Sequence, residues 1–316
     1  MPDTSGSLTY SVSARTLWSV NRWTPLVEEV FGDIAKDRKV LDAEVAPRRC
    51  RFCGLTEPQT SFRDESHVIP IGLGNRTLLS RGECDLCNHK AGETIEIDLQ
   101  NFIGPLRTIC GIRGRNGIPS FRRRPGSPPI RRSDPRLLVM DETGNDDSLV
   151  LHHGVDGKSL SIAVECLPFD FEGVARALAR MALFFLSTAA DSPHLHVLRW
   201  VRGETKWSQP SLFELFLPGQ GVFNAGFFAL TAPPSDRPDQ SIIAGLIFPT
   251  VSYFLPLPKG DWTVASPPWN DVLESLGYLE SFSSNPSLTE YKGAGVGKIV
   301  GFRRIIRLAQ RSLDNE

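Results

Sequence analysis

The sequence predicts an α+β protein, a small cysteine-bearing module followed by a larger α+β C-terminal domain. Three observations carry this reading. Four of the six cysteines fall in two Cys-x-x-Cys pairs, Cys50/Cys53 and Cys84/Cys87. A stretch rich in arginine, proline and glycine at 104–136 separates the cysteine region from the C-terminal half of the chain. In that half, strand-like runs and a strongly periodic helical segment succeed one another without an internal repeat.

At 316 residues, and at roughly 150 residues per domain, about two domains are expected. Hydrophobic residues at 41% and charged residues at 22% suit a soluble chain that buries a core. The net charge of −1 gives no global attraction for nucleic acid, so any such footprint must be local. The opening residues lack the basic start and apolar run of a secretory signal. Met181–Ala190 is too short to span a bilayer, and 242–258 is broken by Pro249, Pro256 and Pro258; a spanning helix needs roughly 20 apolar residues. The expectation is a cytoplasmic protein with no membrane contact. In that reducing setting, cysteine pairs favour a metal over disulfides.

Residues 1–49 read as a helical prefix, with a helix at Pro25–Lys39 in which Leu26, Val27, Val30, Phe31 and Ile34 keep helical spacing. Residues 50–103 form the module and 104–136 a linker. Within 137–316, strands are expected at Arg136–Met140, Ser148–Leu151, Ser159–Val164, Val222–Thr231 and Ser241–Phe254. Helices are expected at Phe171–Thr188 and Phe302–Leu313.

Two residues between cysteines allow a tight knuckle to aim both thiolates at one ion, and two knuckles complete a tetrahedron. The zinc would tie together segments about thirty residues apart and supply on the order of 10 kcal/mol of folding energy. Cys110 and Cys166 stand outside the pattern and read as small buried hydrophobes. His152-His153 and His194-Leu195-His196 have no partner at metal-ligand spacing and read as ordinary residues. The glycine run at 293–297 lacks a full dinucleotide pattern and reads as a turn.

Between the pairs lies Asp64-Glu65-Ser66-His67-Val68-Ile69-Pro70-Ile71-Gly72-Leu73-Gly74-Asn75, a strand-like run ending in a loop. Asn88 and His89 come directly after the second pair, at the start of a helix-like run to Leu99. This order resembles the HNH endonuclease superfamily in its four-cysteine, ββα-metal form, as in phage endonuclease VII and bacterial HNH proteins. The resemblance covers about 50 residues. It implies that Cys50, Cys53, Cys84 and Cys87 hold structural Zn²⁺, that His67 is the general base, and that Asn88 helps hold a catalytic Mg²⁺ or Mn²⁺. Imidazole titrates near neutral pH, as water activation requires, and a divalent cation neutralises charge developing on the phosphate.

The sequence departs from that family at Ser66, where Asp or Glu usually precedes the histidine. Another carboxylate must then serve the cation. Glu65 shares the face of His67 in a regular strand, and Asp64, Glu93 and Glu96 are the alternatives. Asn88 could also cap its helix. Nine arginines and a single acid, Asp134, lie between 107 and 136, and Arg122, Arg123 and Arg124 are the expected contacts to a phosphate backbone.

The reading is a metal-dependent endonuclease acting on DNA, with RNA also open. Residues 137–316 would regulate or target it through a ligand or partner. Some bacterial defence effectors join such a module to a C-terminal sensor. The alternative is a zinc-containing nucleic-acid-binding protein without catalysis.

Overall fold

A computed structural model of the chain describes residues 8–11, 24–30, 39–42, 46–123, 126–127, 129–134, 137–139, 149–153, 159–186, 192–207, 210–216, 226–231, 242–248, 251–257, 262, 269, 272, 287–292 and 298–309. The chain opens with β1 (Leu8–Ser11) and β2 (Thr24–Val30). It continues through β3 (Lys39–Leu41), β4 (Ser66–His67), a 3-10 turn (Ile71–Leu73), β5 (Leu78–Ser80), α1 (Asp85–Glu93) and α2 (Ile95–Ile109). Next come β6 (Arg131–Asp134), β7 (Leu137–Val139), β8 (Leu149–His153), β9 (Ser159–Glu165), β10 (Phe169–Asp170), α3 (Phe171–Leu183) and α4 (Leu195–Val201). The chain closes with β11 (Ser211–Phe216), β12 (Gly226–Thr231), β13 (Ile242–Ile247), β14 (Val251–Leu257), β15 (Ser287–Lys292), β16 (Lys298–Ile299) and β17 (Arg303–Ala309).

The largest sheet has seven antiparallel strands in the order β1-β15-β11-β14-β13-β12-β2. Smaller sheets are β17-β9-β8, β3-β5-β4, β10-β16 and β6-β7. The architecture is mixed α+β, as the sequence predicts. Among the described residues no helix is long and apolar enough to cross a membrane.

Helix α3 joins the two halves of the molecule. Asp170 caps it, its Oδ1 accepting from Glu172 N at 2.9 Å, which satisfies one of the free N–H groups of the first turn. Val174, Ala175, Ala177, Leu178, Met181, Ala182 and Leu183 are all buried, and the helix touches α2 on one side and β13 and β14 on another. Gly173 permits the close approach to α2, because a Cβ there would collide with the Asp98 carboxylate. Asp98 cannot easily withdraw, since its Oδ1 accepts from Asp170 N at 2.9 Å. Alanine at 173 would gain about 1 kcal/mol of helix propensity against an overpacking penalty of about 1–3 kcal/mol. Gly173→Ala is therefore expected to lower the thermal midpoint, and a raised midpoint in a melting curve would contradict the close contact.

Two expected helices are strands. The segment Pro25–Lys39 contributes β2, which pairs antiparallel with β12 at the edge of the large sheet; residues 31–38 lie outside the described residues. Leu26, Val27 and Val30 satisfy helical spacing, but six residue pairs with β12 override that local preference, and an edge strand tolerates Pro25 near its start. The segment Phe302–Leu313 contributes β17, paired with β9 through Arg303–Ala309. There, Arg303 and Ile305 are exposed while Arg304 and Ile306 are buried, a period of two. The buried Arg304 hides that period. Its Nη1 donates to Glu214 Oε2 at 3.1 Å and its Nη2 to Phe102 O at 3.1 Å, and its guanidinium lies 4.3 Å from the Phe102 ring centre.

Within the stretch read as a linker, α2 runs on through Pro105 to Ile109, and β6 covers Arg131–Asp134. The expected strand at Ser241–Phe254 is a pair, β13 and β14, in antiparallel register; Pro249 itself lies outside the described residues. Cys166 is buried as expected, with Sγ 3.4 Å from Phe102 O, while Cys110 is half-buried. His194 is buried, His196 stacks edge-on to Trp262, and His152 is exposed. The glycine run at 293–297 lies outside the described residues.

Candidate active site

The two cysteine pairs converge. Their four sulfurs lie within 4.8 Å of one another, with Cys53 Sγ and Cys84 Sγ at 3.7 Å. Zinc–sulfur bonds of about 2.3 Å set tetrahedral sulfurs about 3.8 Å apart, so the donor set fits zinc in chemistry and in spacing. The first knuckle closes where Gly54, at φ 76°, donates its N–H to Cys50 O at 2.8 Å. The backbone N–H groups of Cys53 and Cys84 both point at Cys50 Sγ at 3.5 Å. A proton held between Cys87 and Cys50 draws the Cys50 thiol down to about 4 and pushes Cys87 up; burial pushes Cys53 up to about 11. Four packed sulfurs thus resist carrying four negative charges unless a cation sits among them. Among the described residues, this is the one His/Cys/carboxylate group with metal-holding geometry.

From this cluster the chain builds a ββα unit of β4, β5 and α1. His67 sits opposite Leu79 and Ser66 opposite Ser80 in the β4–β5 pairing. The intervening loop is stapled by Asn75. Its Nδ2 donates to Ile69 O at 2.7 Å and Leu78 O at 2.8 Å, while its Oδ1 accepts from Thr77 N and Leu78 N. The preceding loop is tied to the second knuckle by Asp85, which accepts from Ser61 Oγ at 2.6 Å and Asp64 N at 3.0 Å. Asn75→Ala would strand buried backbone groups, each worth about 1–3 kcal/mol when unpaired. A clear loss of stability is expected in denaturant unfolding, and a neutral substitution would contradict the staple.

Cys84 is the N-cap of α1. Asn88 lies within the helix, its backbone N–H bonded to Cys84 O at 3.0 Å, so it does not cap the helix. The expected helical run to Leu99 breaks at Thr94 (φ −124°, ψ −94°), which ends α1 and starts α2. His67 and Asn88 line one cleft of about 360 Å³, together with Glu65, Glu93, Glu96 and Arg115. His89 also reaches this cleft and lies 3.7 Å from Glu93, both well exposed.

Ser66 points away from the cleft. It is fully buried, and its hydroxyl donates to Glu83 Oε2 in a short hydrogen bond. Glu83 Oε2 also meets Arg180 Nη2 at 2.5 Å, and Arg180 Nη1 reaches Glu96 Oε1 at 3.2 Å. Burial alone would lower the Arg180 pKa, but the two carboxylates raise it. Glu96 is pushed up, chiefly by burial, with Arg180 opposing. Arg180 comes from α3, so the second half of the chain holds a carboxylate of this cleft. Its guanidinium also faces the Phe52 and Phe184 rings at 5.4 and 5.2 Å. Sequence reasoning missed Glu83 and Arg180. The signal available was an arginine in the apolar register of a helix.

The expected phosphate contacts lie elsewhere. Arg122 is exposed and donates to Ser127 O at 3.2 Å. Arg123 pairs with Glu165 at 2.5 Å, and Arg124 lies outside the described residues. Neither Arg122 nor Arg123 lines the cleft.

A four-cysteine cluster that carries a strand histidine and a helix asparagine into one acidic cleft defines a ββα module of the nuclease type. The comparison agrees: residues 50–102 match the family model described as HNH endonuclease, and this segment is an HNH endonuclease domain. No curated protein and no solved structure matches the chain.

Proposed function

We propose that the protein is a metal-dependent endonuclease that hydrolyses phosphodiester bonds of DNA, with His67 as general base. The observation that carries this reading is the single cleft shared by His67, Asn88 and several carboxylates. His67 Nδ1 is shielded from solvent, which leaves Nε2 to accept a proton from the attacking water; such a base contributes about 10²–10⁴-fold. The Asn88 amide, with Glu65, Glu93 and Glu96, offers the oxygen donors that Mg²⁺ or Mn²⁺ takes. That cation, when bound, neutralises charge on the phosphate and on the departing oxygen. Alternation along the chain explains the carboxylate supply: Glu65 and His67 share the cleft side while Ser66 turns inward.

A supercoiled plasmid incubated with the protein and Mg²⁺ or Mn²⁺ is expected to become nicked and then linear, and Asn88→Ala should require far more cation for the same rate. One observation favours a second reading, in which the module binds nucleic acid without cutting it: the side chain before the histidine is a buried serine and supplies no metal ligand. That reading predicts salt-dependent DNA binding and intact plasmid with every cation tried.

A further inference from the structure

The carboxylates of the cleft would repel a polyanion, and Arg115 brings the opposite charge into the same lining. The arginines after α1 differ in their surroundings. Arg123 is neutralised by Glu165, and Arg132 donates to Ile109 O. Arg107 and Arg115 stand at the cleft, Arg115 in its lining and Arg107 against the cleft residue Gly72.

Arg115 lines the cleft. It stands in a turn closed by Gly114 N to Gly117 O at 2.9 Å and Gly117 N to Gly114 O at 3.3 Å. Arg76 Nη2 pins this turn by donating to Gly114 O at 2.9 Å. The Arg107 guanidinium lies between that turn and Gly72, although Arg107 is not itself among the residues that line the cleft. A Cβ on Gly114 would sit 3.2 Å from Arg107 Nη2, and one on Gly72, a residue of the cleft wall, 3.5 Å from Nη1. Arg107 Nε is shut off from solvent with no hydrogen-bond partner. Burial lowers the Arg107 pKa, with no acid to offset it. A cation partly removed from water with nothing to pair with is costly, and a guanidinium fork matches a phosphate in two parallel hydrogen bonds.

We propose that Arg107 and Arg115 form a phosphate-binding subsite beside the His67–Asn88 cleft, taking a backbone phosphate of duplex DNA. The subsite rests on the nuclease reading for its role, since it would set where the duplex lies relative to His67. Its binding can be measured without turnover.

The test uses the full-length, zinc-loaded His67→Ala protein with Ca²⁺ and a short labelled DNA duplex, followed by fluorescence anisotropy across salt concentrations. Adding Arg107→Gln and Arg115→Gln should weaken binding about tenfold at fixed salt. It should also flatten the slope of log K against log salt by about 0.9, the change for one lost phosphate contact. Arg199→Gln on α4 should change neither. Should Arg107→Gln disturb the fold, Arg107→Lys, which keeps the charge and loses the fork, together with Arg115→Gln, should still weaken binding. Unchanged slope and affinity in these variants would overturn the subsite, as would a slope change produced by Arg122→Gln instead. A wild-type protein that binds through these arginines yet never cuts contradicts only the nuclease reading. One that cuts with unaltered binding in the arginine variants contradicts only the subsite.

Discussion

Replacing Cys84 with serine is expected to abolish zinc binding and unfold the HNH module. Cys84 is fully buried and stands 3.7 Å from Cys53 Sγ. A serine hydroxyl is a weak zinc ligand, so the substitution removes a bond and leaves three packed thiols. Structural zinc contributes on the order of 10–16 kcal/mol in small zinc modules, comparable with the whole stability of a typical domain, about 5–15 kcal/mol. The short strands of that sheet, two or three residues each, leave the zinc cluster, the Asn75 and Asp85 hydrogen bonds and a small apolar core to hold the loops between β3 and α1. Elemental analysis should find one zinc per wild-type chain and none in the variant, and hydrogen exchange over 46–94 should rise to near the unprotected rate. A variant that keeps its protection without zinc would show that the cluster does not support the module.

The second large effect is expected at Arg180. Its guanidinium is 3% exposed and bridges Glu83, 1% exposed, and Glu96, 16% exposed. Arg180→Met would preserve much of the packing against Phe52 and Phe184 while leaving two carboxylates facing each other in the interior. Removing one partner of a buried ion pair costs about 3–5 kcal/mol, because the remaining charge is uncompensated. A loss of that size is expected in denaturant unfolding. The double variant Arg180→Met with Glu83→Gln should recover part of it by removing one stranded charge. If Arg180→Met is neutral, the ion pairs from α3 do not hold Glu96 at the cleft.

The ββα module was legible because its chemistry demands particular residues at short spacing. Two Cys-x-x-Cys pairs, His67 and Asn88 each lie in local patterns, and the cysteine cluster and shared cleft arise from them. The inward turn of Ser66 was not legible, because its partners Glu83 and Arg180 come from elsewhere in the chain. The elements most strongly misread were β2 and β17. Both are short amphipathic segments whose apolar residues suit either period, and both are decided by ladder partners distant in sequence, β12 and β9. In β17 the inward arginine at 304 breaks the alternation that would have marked a strand. The arginine-rich stretch shows the same limit: composition announces excess positive charge, but only folding separates Arg123, already neutralised, from Arg115, which faces the cleft.

If the imidazole of His67 activates water in a cleft built on four thiolates, its loss must appear in the chemical step. The decisive measurement is the single-turnover rate of plasmid cleavage at saturating Mn²⁺, with wild type and His67→Ala matched for zinc content and thermal midpoint. A drop of about 10²–10⁴-fold in the variant is predicted. Equal rates in the two proteins, or no cleavage by wild type under any divalent cation, would contradict it.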